Sequence, residues 1–166
     1  MFKEINPNDM DANVFELIGK TWMLITAGDK ESFNTMTASW GGMGVLWNKN
    51  VVFCFIRPQR YTYEFVEKNN TFTLSFFSEC FRDALKLCGS KSGRDLDKVK
   101  ATGLIPVNAD GGIYFEQADT VFVCKKIYSQ DINPSNFLDA NIAKNYPNND
   151  YHRMYVGEIE KILINE

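Results

Sequence analysis

Apolar and polar side chains alternate along much of this chain, the period-two signature of strands with one covered face. The alternation is cleanest at residues 34–40, where Thr35, Thr37 and Ser39 fall on one side and Met36, Ala38 and Trp40 on the other. It recurs at 71–77, where Thr71, Thr73 and Ser75 oppose Phe72, Leu74 and Phe76. Residues 22–27 predict a strand closed by Gly28-Asp29, and 51–56, apolar on both sides, predict a covered central strand. Two more β-runs occupy 120–127 and 153–164, the second with a slip near Lys161 that predicts an interruption. Helices fit between them. Residues 12–18 can be capped by Asp11 and stopped by Gly19, and 60–68 end at Asn69-Asn70. Residues 81–88 can start from Ser78 and stop at Gly89. A charged surface helix is expected at 94–101 and a weaker one at 135–146. Short β-runs with inserted helices, without strict βαβ alternation, predict a mainly β fold: an antiparallel barrel with peripheral helices.

Composition narrows the picture. With 166 residues, 45% hydrophobic and 23% charged, and no repeat or linker, the chain reads as one domain over 1–166. Aromatics, at 14%, are plentiful enough to suggest a β-rich core, an apolar subunit interface or a planar ligand. A net charge of −3 lacks the basic stripe of a general nucleic-acid binder. No apolar run approaches the roughly 18 residues of a membrane span, and the start shows no export signal. Cys54, Cys80, Cys88 and Cys124 lack C-x-x-C spacing, so reduced thiols in a cytoplasmic protein are expected.

Three clusters carry candidate chemistry. The hydroxyls of Thr35, Thr37 and Ser39 either meet water on a half-exposed strand or offer hydrogen bonds to a phosphorylated or polyhydroxy ligand. Arg57 and Arg60 flank a strand-to-helix junction at 56–62, where helix N–H groups and the dipole favour an anion and a guanidinium grips phosphate bidentately. The ordinary alternative pairs them with surface carboxylates such as Glu64. Residues 88–95 hold Gly89, Ser90, Lys91, Ser92, Gly93 and Arg94, either an anion-binding nest or a polar loop. Neither a P-loop nor G-x-G-x-x-G spacing is present. His152 is the single histidine, so a histidine-based zinc site is not expected; it is either a ligand-facing hydrogen-bonding group or a structural residue.

Taken in order, residues 34–41, 57–65, 72–77, 90–98 and 152–159 resemble the flavin reductase-like, FMN-binding split-barrel family, in particular its flavoredoxin branch. The resemblance implies a six-stranded split β-barrel with added helices, a homodimer, and one FMN per subunit near the interface. It places Asn34, Thr35, Met36, Thr37, Ala38, Ser39 and Trp40 along the flavin ring and ribityl chain. Arg57, Arg60, Tyr61 and Thr62 would surround the phosphate or its approach, and Ser75, Phe76 and Phe77 would flank the ring. Ser90 and Lys91 would bring the loop to the flavin or to a nicotinamide, and His152 and Tyr155 would close the site. Lys91 and His152 are then the candidates for stabilising charge on the reduced ring. The implied activity is hydride transfer from NADH or NADPH to the flavin, with electrons passed onward to an acceptor or a redox partner protein. The alternatives are a non-enzymatic FMN electron carrier and a flavin-binding module without turnover.

Overall fold

The computed structural model of the chain describes residues 1–109 and 111–166. A short strand β1 (Phe2–Ile5) precedes α1 (Val14–Glu16), which continues as a wider π turn over Leu17–Thr21. Asn13, not Asp11, caps this segment: its Oδ1 accepts from the N–H groups of Phe15 and Glu16. Gly19 lies inside the turn and does not stop it. β2 (Met23–Gly28) and β3 (Phe33–Ala38) form a hairpin, followed by a second hairpin of β4 (Gly41–Leu46) and β5 (Lys49–Ile56). Trp47 and Asn48 join the second pair with positive φ at both positions, as a two-residue turn of the primed type requires.

α2 (Tyr61–Lys68), β6 (Thr71–Phe76) and α3 (Arg82–Ser90) come next. A 3₁₀ turn, Glu79–Phe81, leads into α3, which runs through Gly89 without stopping there. α4 is short (Lys98–Thr102), capped by Asp97 and ended by Gly103 in the left-handed region. β7 (Pro106–Ala109) and β8 (Gly112–Phe115) make a separate ribbon, and β9 (Thr120–Asp131) and β10 (Arg153–Asn165) are the long strands. The expected helix at 135–146 is instead two 3₁₀ turns, Pro134–Asn136 and Ala140–Asn145.

The main sheet runs β3-β2-β6-β9-β10-β5-β4, with β1 added along β10, so it holds eight strands rather than six. β3 and β4 are its two ends, yet only Ser39 and Trp40 separate them along the chain. The sheet must therefore curl until its edges nearly meet, leaving a split there. Register shifts at Val156/Gly157 and Ile159/Lys161 bend β10 as the slip near Lys161 foretold. Gly157 is required: a Cβ there would sit 2.5 Å from the Phe72 ring.

One apolar cluster fills the barrel around Ile25, Phe72, Leu74, Phe76, Phe122 and Tyr155; a second, with Phe77, Leu85, Tyr114, Phe115 and Val121, joins the sheet to α3 and β8. Each fully buried large side chain contributes about 1.5–3 kcal/mol by leaving water. This packing fixes β3, α2, α3 and α4 relative to one another.

Candidate functional site

At the split, the edge strand β3 faces the start of α2 and the loop after α3. A hollow of about 190 Å³ is bordered by Met36, Thr37, Ala38, Ser39, Trp40, Phe55, Arg57, Arg60 and His152. A second, of about 140 Å³, is bordered by Asn34, Arg60, Tyr61, Thr62, Ser90, Lys91 and Lys98, with Gly89 and Gly93 beside them. Arg60 stands on both walls, so the two form one groove.

Local chemistry explains the arrangement. Arg60 is the N-cap of α2 with extended backbone and no side-chain cap; its carbonyl accepts from the Tyr63 N–H at 3.0 Å, which leaves the amides of Tyr61 and Thr62 as the uncapped helix start beside the second hollow. Asn34 Nδ2 donates to the buried Thr62 hydroxyl at 2.7 Å, tying β3 to the helix start. Gly93 closes the loop against this pair, for an added Cβ would lie 2.0 Å from Asn34 Oδ1.

Two cations dominate. Lys98 is only 5% exposed, and its ammonium donates to the carbonyls of Thr35 (2.7 Å) and Cys88 (2.9 Å). Burial pulls it down from 10.5 to about 8. Arg60 is half-buried, reaches the Cys88 carbonyl at 3.4 Å, and is lowered by burial and then by Arg57. Among the described residues, neither has a carboxylate partner. Arg57 differs: it pairs with Asp150 at 2.6 Å, donates to the Asn145 carbonyl at 2.9 Å and lies over the Tyr146 ring. Arg94 pairs with Glu64 and stacks on Tyr61. Of the two arginines for which a carboxylate partner was the alternative, Arg57 has one in Asp150, and Arg60 has none among the described residues.

His152 is 8% exposed; its Nδ1 lies 2.9 Å from the Tyr146 hydroxyl, and Trp40 packs 5.4 Å away. Burial, then Arg57, pulls its imidazole down to about 4, so it is neutral near pH 7. A neutral imidazole can offer a ligand a hydrogen bond, one of the two roles read from the sequence, but no positive charge. Lys91 is exposed and borders the second hollow, so the two expected catalytic groups do not share a wall.

Several expected site residues lie outside the groove or have their hydroxyls engaged within the protein. Ser75, Phe76 and Phe77 are buried in the core, outside the groove, with the Ser75 hydroxyl lacking a partner among the described residues. Tyr155 is fully buried and donates to Glu67 at 2.6 Å on another side of the barrel. The Thr35 hydroxyl pairs with Thr26 at 2.8 Å and bonds the Ile25 carbonyl, and that of Thr37 bonds the Leu85 carbonyl at 2.5 Å. The β2–β3 hairpin thus takes up the Thr35 hydroxyl and strand-to-helix packing the Thr37 hydroxyl, two of the three offered to a ligand. The Ser90 hydroxyl turns back to the Lys86 carbonyl at 2.8 Å. Lys98, in contrast, lay in a segment read as surface; its one sequence signal is its place just after the capping Asp97. Tyr146 and Asp150 were missed because they belong to a long connection pinned back by the Ile132 N–H to His152 carbonyl bond.

A family model described as the flavin reductase like domain matches residues 15–166. No curated protein sequence matches the chain. Among solved structures it is similar to an FMN-binding domain of a flavin reductases-like enzyme from Shewanella baltica OS155: 15% identity, TM-score 0.72, covering 99% of this chain and 77% of that one. It is similar to flavoredoxin of Desulfovibrio vulgaris (Miyazaki F), with 22% identity and TM-score 0.68 over 87% of this chain and 69% of that one. A Streptomyces globisporus C-1027 NADH:FAD oxidoreductase, solved in complex with NAD and FAD fragments, is similar at 14% identity and TM-score 0.65, covering 87% and 74%. The split-barrel fold is thereby shown. No helix among the described residues is long and apolar enough to cross a membrane.

Proposed function

The chain belongs to the flavin reductase like domain family, and from that premise we propose that it is an FMN-binding oxidoreductase taking hydride from NADH or NADPH. The observation that carries the reading is the pair of cations, Arg60 and Lys98, held without carboxylates beside the open start of α2. Burying an ammonium against carbonyls alone is costly, and a doubly charged phosphate at this point offsets that cost. The groove has the shape such a ligand needs. Its phosphate end is the 89–93 loop with Arg60 and Lys98, and its ring end is the edge of β3 with Trp40 and His152.

When bound, FMN supplies the redox chemistry, accepting hydride and releasing electrons singly or in pairs. The chain's own residues hold and orient it. Backbone groups of Met36 to Ala38 on the open edge of β3 are placed to meet a heterocycle's polar edge. Neutral His152, fixed by Tyr146, offers a hydrogen bond at the ring end. Arg57 is spent on anchoring the connection before β10 through Asp150. Support for a nicotinamide donor comes from the Streptomyces neighbour. Exposed Trp40, Val45 and Trp47 on and beside the edge strand β4 support a homodimer formed there, near the ring end of the groove.

The test is titration of the apoprotein with FMN and with riboflavin, followed by anaerobic addition of NADH or NADPH. FMN should bind at least about tenfold more tightly than riboflavin, since a charge-assisted phosphate contact contributes roughly 1.5–3 kcal/mol. Bleaching of the flavin absorbance by the nicotinamide should follow. Equal affinity for the two flavins defeats the reading. Tight FMN binding without bleaching leaves the electron-carrier alternative that the flavoredoxin neighbour favours.

A further inference from the structure

We propose that the apolar cavity adjoining the ring end of the groove is the electron-acceptor site, and that it takes a small, uncharged carbonyl compound of the quinone class. The proposal rests on the FMN reading above. The cavity measures about 740 Å³, within the size range of small-molecule sites. Ser39, Trp40, Phe55 and His152 wall both this cavity and the ring-end hollow, so an occupant lies directly beside the ring.

Its chemistry is the opposite of the groove's. Val14, Ile18, Met43 and Ile132 make its remaining walls apolar, and among the described residues no carboxylate, ammonium or guanidinium borders it. Bringing a charged metal complex or a phosphorylated acceptor here would strip its hydration without compensation. A quinone enters neutral and leaves neutral as its hydroquinone. Beside Ser39, the polar edge consists of the Tyr146 hydroxyl and the His152 ring, bonded to each other at 2.9 Å. That bond uses one imidazole nitrogen and leaves the second for a carbonyl oxygen.

The electron balance closes with groups already named. The quinone gains two electrons and two protons: a hydride from the reduced flavin brings both electrons and one proton, and solvent brings the other through the Tyr146–His152 pair. The flavin returns to its oxidised form. Because the nicotinamide must approach the same ring, donor and acceptor meet it in turn, the donor's phosphates and adenosine staying outside the apolar walls at Val14 and Ile132.

Duroquinone is the probe, since its ring is fully substituted and cannot add to the exposed Cys80 thiol. Equilibrium dialysis should show that it binds the apoprotein, with affinity reduced at least about tenfold by Ile132→Asp or Val14→Asp and retained in Ile132→Val. Thermal melts verify that each variant folds. In the FMN-loaded protein, kcat/KM for duroquinone should fall similarly in the Asp variants, while NADH-driven reduction of bulk ferricyanide falls less than twofold. Duroquinone binding that both Asp variants leave intact overturns the assignment, as does a dimer that buries the cavity and binds none. Should FMN fail to bind while dialysis still shows duroquinone uptake sensitive to Ile132, the flavin reading falls and the cavity stands as a ligand site.

Discussion

Lys98→Met tests the electrostatic core of the site. In the free protein the ammonium is held at about 8, against an ordinary 10.5, because it is buried with only two carbonyls for company. A bound phosphate dianion favours the charged form and raises that value again. FMN binding must therefore take up a proton above pH 8. Affinity should be flat from pH 6 to 7.5 and then fall toward tenfold per pH unit between about 8 and 10, whereas riboflavin affinity should stay level. Removing the ammonium loses one charge-assisted contact of roughly 1.5–3 kcal/mol, a weakening of about 10- to 150-fold at pH 7. The steep alkaline limb should disappear with it. The assay is quenching of flavin fluorescence across that pH range for both proteins and both flavins. A Lys98→Met variant that binds FMN within threefold of the parent, with the same alkaline fall, refutes the argument.

Arg60→Ala should weaken FMN by about 10-fold or more, while Arg57→Ala weakens it less. Its signature is instead faster hydrogen exchange over 132–152, because the Asp150 anchor is lost. Gly93→Ala forces a Cβ against Asn34 and breaks the Asn34–Thr62 bond; a loss of about 1–3 kcal/mol should appear in denaturant melts. Tyr155→Phe removes the bond to Glu67 and should cost about 1 kcal/mol while leaving FMN affinity unmoved within experimental scatter. A marked loss of affinity in that variant would return Tyr155 to the site. His152, neutral when folded down to about pH 4, is protonated near 6.5 when unfolded. Stability from this residue is complete above pH 6.5 and declines as pH falls toward 4, by up to about 3 kcal/mol at ~1.4 kcal/mol per unit. His152→Gln should flatten that acid limb in melts of the apoprotein.

What the sequence made legible was governed by alternation. β2, β3, β5, β6, β9 and β10 each carry a period-two or continuous apolar run, and each was found within a few residues of its bounds. β4 was missed because Gly41, Gly42 and Gly44 read as loop, and because Trp47-Asn48 is not the Asn-Gly pair that advertises a two-residue hairpin. β1, β7 and β8 are four residues each, too short to show a period. Within the groove, the hydroxyl-bearing strand and the arginine-flanked helix start were visible as types. Where their hydrogen bonds go was not, because Thr26 and the Leu85 carbonyl are partners brought in by folding.

Lys98 shows why the most informative residue was the least visible. Residues 94–101 carry Arg94, Asp95, Asp97, Lys98 and Lys100, and such density of charge ordinarily marks a solvated face. Capping by Asp97 starts α4 there, and the bare backbone of Gly93 lets the preceding loop close on Asn34, so that Lys98 is carried inward. The fold thus buries an ammonium and places a second cation beside it, neither with a carboxylate partner among the described residues, in a chain whose net charge is −3. Folding alone gives no return on that arrangement, because a methionine of similar length would fill the space without desolvating a charge. A local rule broken without compensation inside the chain points to compensation from outside it. An anion meeting Arg60, Lys98 and the uncapped amides of α2 together would supply that compensation, which is why the phosphate end, rather than the ring end, carries the proposed function.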